Sequence, residues 1–420
     1  MEPSSPSIVV SYGDAARIVR EQAAATSAQP GRTESVPLIE SLGRVLAAPI
    51  LADRDQPPFP RSTRDGFACR SADLTSGNGL QIIGLLRAGE VWTGPAIEPG
   101  QAIEIMTGAP VPPGADCVLM VEHATVDGSH IRPELRANRQ LNAGENIVPT
   151  GAEARAGATL IPAGTRIGPQ HIAAAAACGY STLSVYAQPR VAILATGDEL
   201  VPVDSKPLPY QIRNSNSYSI AAQVLAHGGK PILFPIVRDD LSAIETAIEQ
   251  ALNYNLLILS GGVSMGKYDF VEQALLNLHA EFFFTGVRIQ PGRPVVFGHL
   301  PSTTGGRYFF GLPGNPVSTL VTFALFAAPL LSALSGQPAS ETGARFAEGR
   351  LAASIPSKPG LTRFHPAHLE GDADHANVHP IPWQGSGDQT AAAKTNCFLV
   401  LPEETGDVSR GDRVPILLLS

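Results

Sequence analysis

The chain has 420 residues, and 38 acidic against 30 basic side chains give it a formal net charge of −8. It contains no stripe or run of Lys and Arg, which argues against general nucleic-acid binding. Because 44% of its residues are hydrophobic and only 16% are charged, we expect a folded protein, and its length indicates about three domains. The 41 glycines and 37 prolines indicate many turns and bends.

A helical period marks the first 45 residues. Ala15, Ile18, Val19 and Ala23 recur at helical spacing after Asp14, which is the expected N-cap. The N-terminus has no basic region followed by an apolar stretch, so we expect no signal peptide. The cysteines form no C-x-x-C pair, a pattern typical of reduced, buried thiols in a cytosolic protein (Cys69, Cys117, Cys178 and Cys397).

Short β-like runs separated by Gly and Pro clusters occupy the stretch from Pro49 to Pro149. This alternation predicts a small all-β module with strands at Leu80–Leu86, Ile103–Met106 and Cys117–Glu122. A segment rich in Ala and Gly follows, and within it Gln170–Cys178 is predicted to be a close-packed helix.

From residue 190 to 335, β and α patterns alternate, which predicts a mainly parallel sheet with helices on both faces. Asp240 is the expected N-cap of one helix, and Gly228-Gly229 the expected C-terminal end of another. The strands are predicted at Val191–Leu194, Ile232–Val237, Leu256–Leu259 and Tyr308–Phe310, and the helices at Tyr218–Ala226, Leu241–Leu252 and from Val317.

The most apolar stretch, Val317 to Leu334, contains Ser, Thr and Pro residues, which favours a buried helix over a membrane span. Beyond Gly336, strand-like runs at Cys397–Leu401 and Val414–Leu419 predict a small β-barrel. We therefore expect neither membrane nor nucleic acid among the partners.

Acidic residues and glycine-rich loops follow the predicted strands of the α/β segment. Glu199 and Asp239 come after the first two strands, and Ser260-Gly261-Gly262-Val263-Ser264, then Asp269, after the third. The fourth strand leads into Gly311 to Ser318. Ligands bind beyond the carboxyl ends of such strands, where glycines let backbone N–H groups approach an anion.

Carboxylates beside an anion site imply a divalent cation between them, and Mg²⁺ takes one or two carboxylates together with phosphate oxygens. The sequence therefore predicts a Mg²⁺–phosphate site at this edge. The alternative is that Asp239 and Asp269 only start helices, since acidic caps are common.

Two further segments are ordinary turns by their local pattern. One contains Asp65 between turn-forming residues and Phe67, and the other contains Thr107 after a predicted strand. In Pro291-Gly292-Arg293-Pro294 a guanidinium stands between prolines, and its planar fork of donors suits an oxyanion, although an exposed turn has the same pattern.

These motifs together resemble the MoeA-type molybdopterin molybdenumtransferases, whose eukaryotic relatives include the C-terminal domain of gephyrin. The resemblance covers nearly the whole chain. Its most specific part is Gly311-Leu312-Pro313-Gly314-Asn315-Pro316-Val317-Ser318 preceded by Ser260–Ser264. It also includes Ser62–Ala68, Ile105–Pro110, Thr196–Leu200, Asn214–Asn216, Pro291–Pro294 and Gly385-Ser386.

The resemblance implies an α/β multidomain protein with a central doubly wound, mainly parallel, MogA-like sheet domain. It also implies an elongated homodimer whose active cleft lies between subunits. The implied domains are 1–45 with 150–185 (an elongated linker and dimerisation domain), 46–149 (a small β-rich domain), 186–336 (the α/β molybdopterin-binding domain) and 337–420 (a C-terminal β-barrel domain).

The implied reaction inserts molybdate into the dithiolene of adenylylated molybdopterin, with Mg²⁺-dependent release of AMP, in the cytoplasm. Its implied partners are a molybdopterin adenylyltransferase and apo-molybdoenzymes. The implied catalytic residues are Asp65, Thr107, Glu199, Asp239 and Asp269, of which the four carboxylates would hold the metal. The substrate-binding residues would be Ser260, Gly261, Gly262, Ser264, Pro291, Gly292, Arg293, Pro294, Gly311, Pro313, Gly314, Asn315, Pro316, Ser318 and Ser386, with Arg293 and Ser386 contacting molybdate.

The chain departs from the family pattern around the implied molybdate pocket. Where many members have Lys-Pro-Gly-Lys-Pro, Gln290 and Arg293 stand at the two Lys positions. In the pattern Gly-Arg-Thr-acid-Phe-x-Arg, the final Arg is Pro366. Arg363 or His365 could compensate, but a one-residue offset on a strand points to the other face. Glu153 stands at a further acidic position of the first domain.

Three functions remain open on the sequence. The first is the molybdenum insertase. The second is a non-catalytic pterin-binding or scaffold paralogue with a weakened molybdate site, which Gln290 and Pro366 favour. The third is nucleotidyl transfer to molybdopterin, by analogy with adenylyltransferases of related fold; fold kinship alone does not assign chemistry.

Overall fold

The computed structural model describes residues 8–27, 31–75, 78–135, 139–262, 270–301, 307–372 and 375–419. The chain divides into two compact units. The smaller comprises Pro49–Ala163 and Gln170–Ser181, and the larger comprises Met1–Ala48, Gly164–Pro169 and Thr182–Ser420.

The smaller unit is built on a six-stranded sheet and confirms the predicted all-β module. Its core consists of apolar side chains that alternate along the strands, among them Phe67, Leu80 and Leu119. The strands lie in the order Cys117–Met120, Gly66–Cys69, Gln101–Ile105, Leu80–Leu86, His130–Pro133 and Ala124–Asp127. Two further pairs join Ile50–Leu51 to Thr159–Ile161 and Arg61–Ser62 to Ile147–Val148, and the predicted helix spans Pro169–Ala177.

The N-terminal helix spans Tyr12–Ser27, so it begins before the predicted start. Asp14 is not its N-cap, and that prediction is wrong. Ser11 takes the role: its Oγ accepts a hydrogen bond from the Asp14 N–H (3.1 Å) and donates one to Asp14 Oδ2 (2.7 Å). The predicted apolar stripe is buried, with Ala15, Val19 and Ala23 inside the main core of the larger unit.

The α/β region contains a six-stranded sheet. Its four parallel strands, in spatial order, are Lys230–Leu233, Arg190–Ala195, Leu256–Ser260 and Arg307–Leu312, and two antiparallel strands, Val296–Leu300 and Glu281–Phe284, extend the edge. Alternate side chains enter two separate cores, which confirms that both faces are covered. The helices are Asn216–Ala226, Leu241–Ala251, Phe270–Asn277 and Pro316–Leu334.

One strand and one helix in this region end at well-defined residues. The strand predicted to reach Val237 ends at Leu233. The Phe234 N–H still bonds to the Ile193 carbonyl, but the next bond comes from Val237 rather than from Ile236, so the register shifts by one residue and Val237 meets Thr196 only in an isolated bridge. The helix Asn216–Ala226 ends as predicted. Gly228 adopts a left-handed conformation (φ 81°), and the Gly229 N–H bonds to the Val224 carbonyl at 2.9 Å.

The helical stretch Pro316–Leu334 is long and apolar enough to cross a bilayer, yet 83% of it is buried inside the fold. It is therefore a core helix, as predicted. A π-helical turn, Phe323–Ala327, precedes Pro329, and there the Ala328 N–H bonds to the Phe323 carbonyl. This turn accommodates a proline that a regular helix interior tolerates poorly.

The C-terminal region forms a closed barrel of five strands, which confirms the predicted architecture. Around the barrel the strands follow the order Thr362–Gly371, Ala376–Pro380, Phe346–Leu351, Arg413–Leu418 and Cys397–Leu401, and the last pairs again with the first. The short strand Ile289–Gln290 of the α/β region adds to the first barrel strand.

The remaining elements are short. Three further strand pairs join Thr33–Pro37 to Thr182–Tyr186, Val9–Val10 to Gly286–Val287, and Leu200–Val201 to Ile212–Arg213, and the helix Gln389–Lys394 precedes the barrel strand Cys397–Leu401. All four cysteines are buried, as the sequence predicts.

Candidate functional site

A cavity of about 530 Å³ opens at the carboxyl ends of the parallel strands in the larger unit. Three neighbouring strands end there and bring Thr196, Ser260-Gly261 and Gly314-Asn315 together. The loop and helix start at residues 211–216 line another side, and Gly387 and Gln389 from the C-terminal region complete the lining. This is the edge at which ligands bind in open α/β sheets.

Asn216 joins two of these loops. Its Nδ2 donates hydrogen bonds to Ser260 Oγ (3.2 Å) and to the Gly314 carbonyl (2.6 Å). Its Oδ1 is buried and has no hydrogen-bond partner within the described residues, and the same holds for Thr196 Oγ1. Buried polar atoms are normally paired, so these two are free to bond a ligand.

The N-termini of two helices border this cavity. Asn214 Oδ1 accepts a hydrogen bond from the Ser217 N–H (3.2 Å) at the start of helix Asn216–Ala226. At the other helix, Asn315 occupies the N-cap position, but its side chain does not cap. The helix dipoles make both starts favourable for a phosphate.

Gly261 packs closely against the backbone of a neighbouring strand end. Its φ is 90°, and a Cβ there would lie 2.7 Å from the Thr196 carbonyl oxygen, so a larger residue cannot occupy this position without displacing the backbone.

Three carboxylates lie at the end of the strand Arg190–Ala195 and in the segment after Leu233. Glu199 lines the large cavity, and the Asp239 N–H lies 3.4 Å from Asp198 Oδ1. Partial burial raises the pKa of Asp239, and the charges of Asp198 and Glu199 raise it further. This edge therefore concentrates negative charge. Asp240 caps the next helix through the Ala243 N–H, as predicted.

Asp65 and Thr107 come together in the smaller unit, although 42 residues separate them. Asp65 Oδ1 accepts hydrogen bonds from the Thr107 N–H (2.6 Å) and hydroxyl (2.7 Å). The backbone hydrogen bond has the larger effect, and together the two bonds hold the pKa of Asp65 below its usual range. In the same unit, Glu153 forms an ion pair with Arg61 at 2.6 Å.

A second cavity in the larger unit, of about 430 Å³, surrounds Arg293. Asn315 lines both cavities, and its Nδ2 donates a hydrogen bond to Ser386 Oγ at 2.8 Å. The Val317 N–H also bonds to the Ser386 carbonyl (3.0 Å). The predicted residues that line this second cavity are Pro291, Gly292, Arg293, Pro294, Pro313, Asn315, Ser318 and Ser386.

One replaced family position, Gln290, lies in the lining of the second cavity. Gln290 lines it, and Gln290 Oε1 accepts a hydrogen bond from Arg363 Nε at 3.1 Å. Side chains alternate along the barrel strand, so Arg363 and His365 point away from the face of Pro366. His365 packs edge-on against Trp383, and burial lowers its pKa.

Some predicted site residues lie elsewhere. Gly311 is an interior residue of the strand Arg307–Leu312 and lines neither cavity. Gly262 is packed beside Val271 and Thr196. Ser264 and Asp269 lie outside the described residues. Sequence reasoning did not select Asn216, Gln389 or Trp383, and only the motif Asn214-Ser215-Asn216 offered a signal for the first.

Comparison with known proteins identifies the family of the chain. Family models for the MoeA N-terminal region (domains I and II), a probable molybdopterin binding domain and the MoeA C-terminal region (domain IV) match residues 10–179, 192–333 and 348–419. The chain belongs to the MoeA family of molybdopterin molybdenumtransferases. The order of the three matches is the order of the regions described above.

Relatives and solved structures agree with this assignment. The molybdopterin molybdenumtransferase of Bacillus subtilis (strain 168) is 34% identical over 93% of this chain and 90% of its own length. That of Nostoc sp. is 35% identical over 92% and 89%. The crystal structure of the molybdopterin biosynthesis MoeA protein from Pyrococcus horikoshii OT3 superimposes with a TM-score of 0.77 at 30% identity, covering 98% of this chain and 100% of that one.

Proposed function

We propose that this MoeA-family chain is a molybdenum insertase, which transfers molybdate to the dithiolene of adenylylated molybdopterin and releases AMP in a Mg²⁺-dependent step. The family assignment supports a molybdenumtransferase in molybdenum cofactor biosynthesis. The observation that carries the finer proposal is the bridge between the two cavities. Asn315 lines both of them and holds Ser386 of the cavity that contains Arg293.

The two cavities suit two different parts of the reaction. The larger one is bordered by two helix starts, whose dipoles suit the pterin phosphate. The Arg293 cavity offers a guanidinium and the hydroxyls of Ser318 and Ser386, which suit an oxyanion such as molybdate. A ligand that spans Asn315 would therefore place the dithiolene next to the bound metal oxyanion.

The carboxylate edge fits Mg²⁺ by its donor chemistry. Asp198, Glu199 and Asp239 offer hard oxygen ligands, and the raised pKa of Asp239 marks negative charge that a cation would relieve. Within the described ranges no group of three acidic, His or Cys side chains is arranged to bind a metal by itself, so ligand phosphate oxygens would complete the coordination. When bound, the ion stabilises the charge that develops on the departing AMP phosphate.

The chain's own residues bind the pterin ligand and molybdate and orient them. Asn216 Oδ1 and Thr196 Oγ1 accept hydrogen bonds from the ligand, and Asn216 Nδ2 keeps the Ser260 and Gly314 loops in place. Arg293 attracts and orients the molybdate. In the smaller unit, Thr107 fixes the Asp65 carboxylate through two hydrogen bonds.

We further propose a cytoplasmic homodimer that works with a molybdopterin adenylyltransferase and apo-molybdoenzymes. Large apolar side chains exposed along one segment of the larger unit support the dimer: Tyr210, Tyr218 and Leu225 are 74%, 52% and 61% exposed. The unpaired state of all four cysteines supports a reducing compartment.

The test is a turnover assay with adenylylated molybdopterin, molybdate and Mg²⁺. We expect AMP release and a product that activates an apo-molybdoenzyme. Glu199→Ala should abolish AMP release, whereas Asp204→Ala, which changes an exposed carboxylate nearby, should retain it. Absence of AMP release above a protein-free control would refute the insertase.

One observation favours the second candidate, a pterin-binding or scaffold paralogue. The cation expected at position 290 is a neutral amide that bonds to Arg363, and the Arg expected at 366 is a proline. Molybdate titration of the pterin-loaded protein separates the two functions. Pterin binding without saturable molybdate binding or turnover would establish the scaffold. Consumption of ATP without molybdate would instead indicate nucleotidyl transfer.

A further inference from the structure

A third cavity, of about 160 Å³, lies in the larger unit away from both cavities described above, and we call it the Arg166 cavity. It is lined by the end of the helix Asn216–Ala226, one side of the buried helix Pro316–Leu334, the segment 337–345 and Leu418-Leu419. The charged or titratable side chains among these residues are Arg166, His227, Glu341 and Arg345.

Arg166 is half-buried, but all its hydrogen-bond partners are neutral oxygens. Its guanidinium donates to the Gly43 carbonyl (2.9 Å), to the His227 carbonyl (3.1 Å) and to Gln337 Oε1 (3.0 and 3.3 Å). Burial lowers the pKa of Arg166, and the nearby Arg345 lowers it further. Within the described residues Arg166 forms no ion pair, and a partly desolvated cation without a counter-charge is unfavourable, which favours the binding of an anion here.

Arg345 adds a second positive charge to the Arg166 cavity, and His227 adds a titratable donor. Arg345 has no ion pair within the described part of the chain. The Nδ1 of His227 lies 2.8 Å from the Gln223 carbonyl, to which it donates, and this leaves Nε2 as the other titrating position. Burial lowers the pKa of His227, and the charges of Arg166 and Arg345 act in the same direction.

The packing holds the Arg166 guanidinium in one place. Gly228 packs beside it: its left-handed conformation (φ 81°) favours glycine, and a Cβ there would lie 2.7 Å from Arg166 Nη1. Gln337 accepts from both Nε and Nη2 and thereby fixes the plane of the group. Glu341 supplies the one carboxylate of the lining described here, and the two guanidiniums of Arg166 and Arg345 outnumber it, so the described lining has a net positive charge.

From these contacts we infer that the Arg166 cavity binds a small tetrahedral oxyanion, at a site separate from the proposed active site. Arg166 and Arg345 supply the charge, and His227 supplies a donor when it is protonated. The volume is large enough for such an ion with one or more water molecules, each of which takes about 30 Å³ in the liquid. Phosphate, sulfate and molybdate share this chemistry.

The experiment follows the His227 imidazole by NMR in the full-length protein labelled at histidine, during titration with phosphate, sulfate or molybdate. His227→Gln assigns the resonance. We expect a saturable shift and a raised His227 pKa when the anion is bound. Arg293→Gln, in the other cavity, should leave this response unchanged, which separates the two sites and makes the result independent of the insertase proposal.

Two variants test the charges in opposite directions. Arg345→Gln should lower the affinity for the anion about tenfold or more, as expected for the loss of one charge-assisted hydrogen bond. Glu341→Gln should raise the affinity for the anion several-fold, because it removes a negative charge that repels the anion. Arg350→Gln, on the neighbouring barrel strand, is the matched control and should change nothing. An unmoved His227 resonance, or equal anion affinity in the Arg345 and Glu341 variants, would overturn the inference.

Discussion

Arg363 Nε donates a hydrogen bond of 3.1 Å to Gln290 Oε1 across two paired parallel strands. Two residues that depart from the family pattern are therefore partners. An amide oxygen can accept this bond, whereas the ammonium of a Lys at position 290 could not. The loss of one cation beside the Arg293 cavity is thus coupled to an Arg on the barrel, which also donates to Ser357 Oγ (3.4 Å).

Gln290→Lys should separate anion binding from stability. The new ammonium should raise the affinity for molybdate about two- to fivefold, as expected for an exposed charge interaction of about 0.5–1 kcal/mol. Loss of the acceptor for Arg363 should lower the free energy of unfolding by about 1 kcal/mol. Gln290→Met, the neutral control, should show only the stability loss. Calorimetric titration and urea unfolding measure the two effects, and unchanged molybdate affinity in the Lys variant would contradict the placement of Arg293 at the oxyanion site.

Asp239→Asn should stabilise the protein in the absence of Mg²⁺. The pKa of Asp239 is raised, so its ionised form destabilises the fold at neutral pH. The gain should be less than about 1 kcal/mol, the range for exposed charge pairs, and should vanish as the pH falls below the ordinary Asp pKa of about 3.9. Urea unfolding of the parent and the variant across this pH range measures the difference.

Mg²⁺ should reverse the order of stability of the parent protein and Asp239→Asn. The ion should raise the melting temperature of the parent protein more than that of Asp239→Asn, because the variant has lost a ligand. Asp204→Asn should respond like the parent. Equal Mg²⁺ responses in all three proteins would remove Asp239 from the metal site.

Thr107→Val should raise the pKa of Asp65, because it removes the hydroxyl bond and leaves only the backbone N–H. A depressed carboxyl pKa stabilises the fold above the unfolded-state value, and this stability is lost as the pH falls through the folded-state value. The variant should therefore lose less stability on acidification. NMR titration of the Asp65 carboxyl carbon gives the pKa, and Thr107→Ser, which keeps a hydroxyl, should titrate like the parent.

Asn216→Asp should disrupt the large cavity. It replaces the donor to Ser260 Oγ and the Gly314 carbonyl by an oxygen, which would face a carbonyl oxygen 2.6 Å away. We expect a loss of about 1–3 kcal/mol in the free energy of unfolding and no measurable pterin binding. Ser215→Ala, at the preceding residue, is the control. It removes only the acceptor for Gln389 (2.8 Å) and should retain pterin binding. Pterin affinity in Asn216→Asp equal to that of Ser215→Ala would exclude Asn216 from the site.

Local pattern accounts for most of the fold. Alternating β and α periods predicted the sheet covered on both faces, and glycine at 228 marked the end of its helix. The errors are local as well. Asp14 has the pattern of an N-cap, but a hydroxyl three residues earlier takes that role. The strand that the apolar run predicts to reach Val237 ends at Leu233, where the pairing shifts by one residue.

The sequence by itself determined that glycine-rich loops and carboxylates would follow parallel strands, because strand direction places every such loop at one edge. The tertiary structure decided which side chains meet there. Gln389 bonds to Ser215 across 174 residues, and Asn315 to Ser386 across 71. Periodicity reports which face of an element is buried, but contacts between distant loops depend on how the barrel and the sheet pack, and no local pattern encodes that packing.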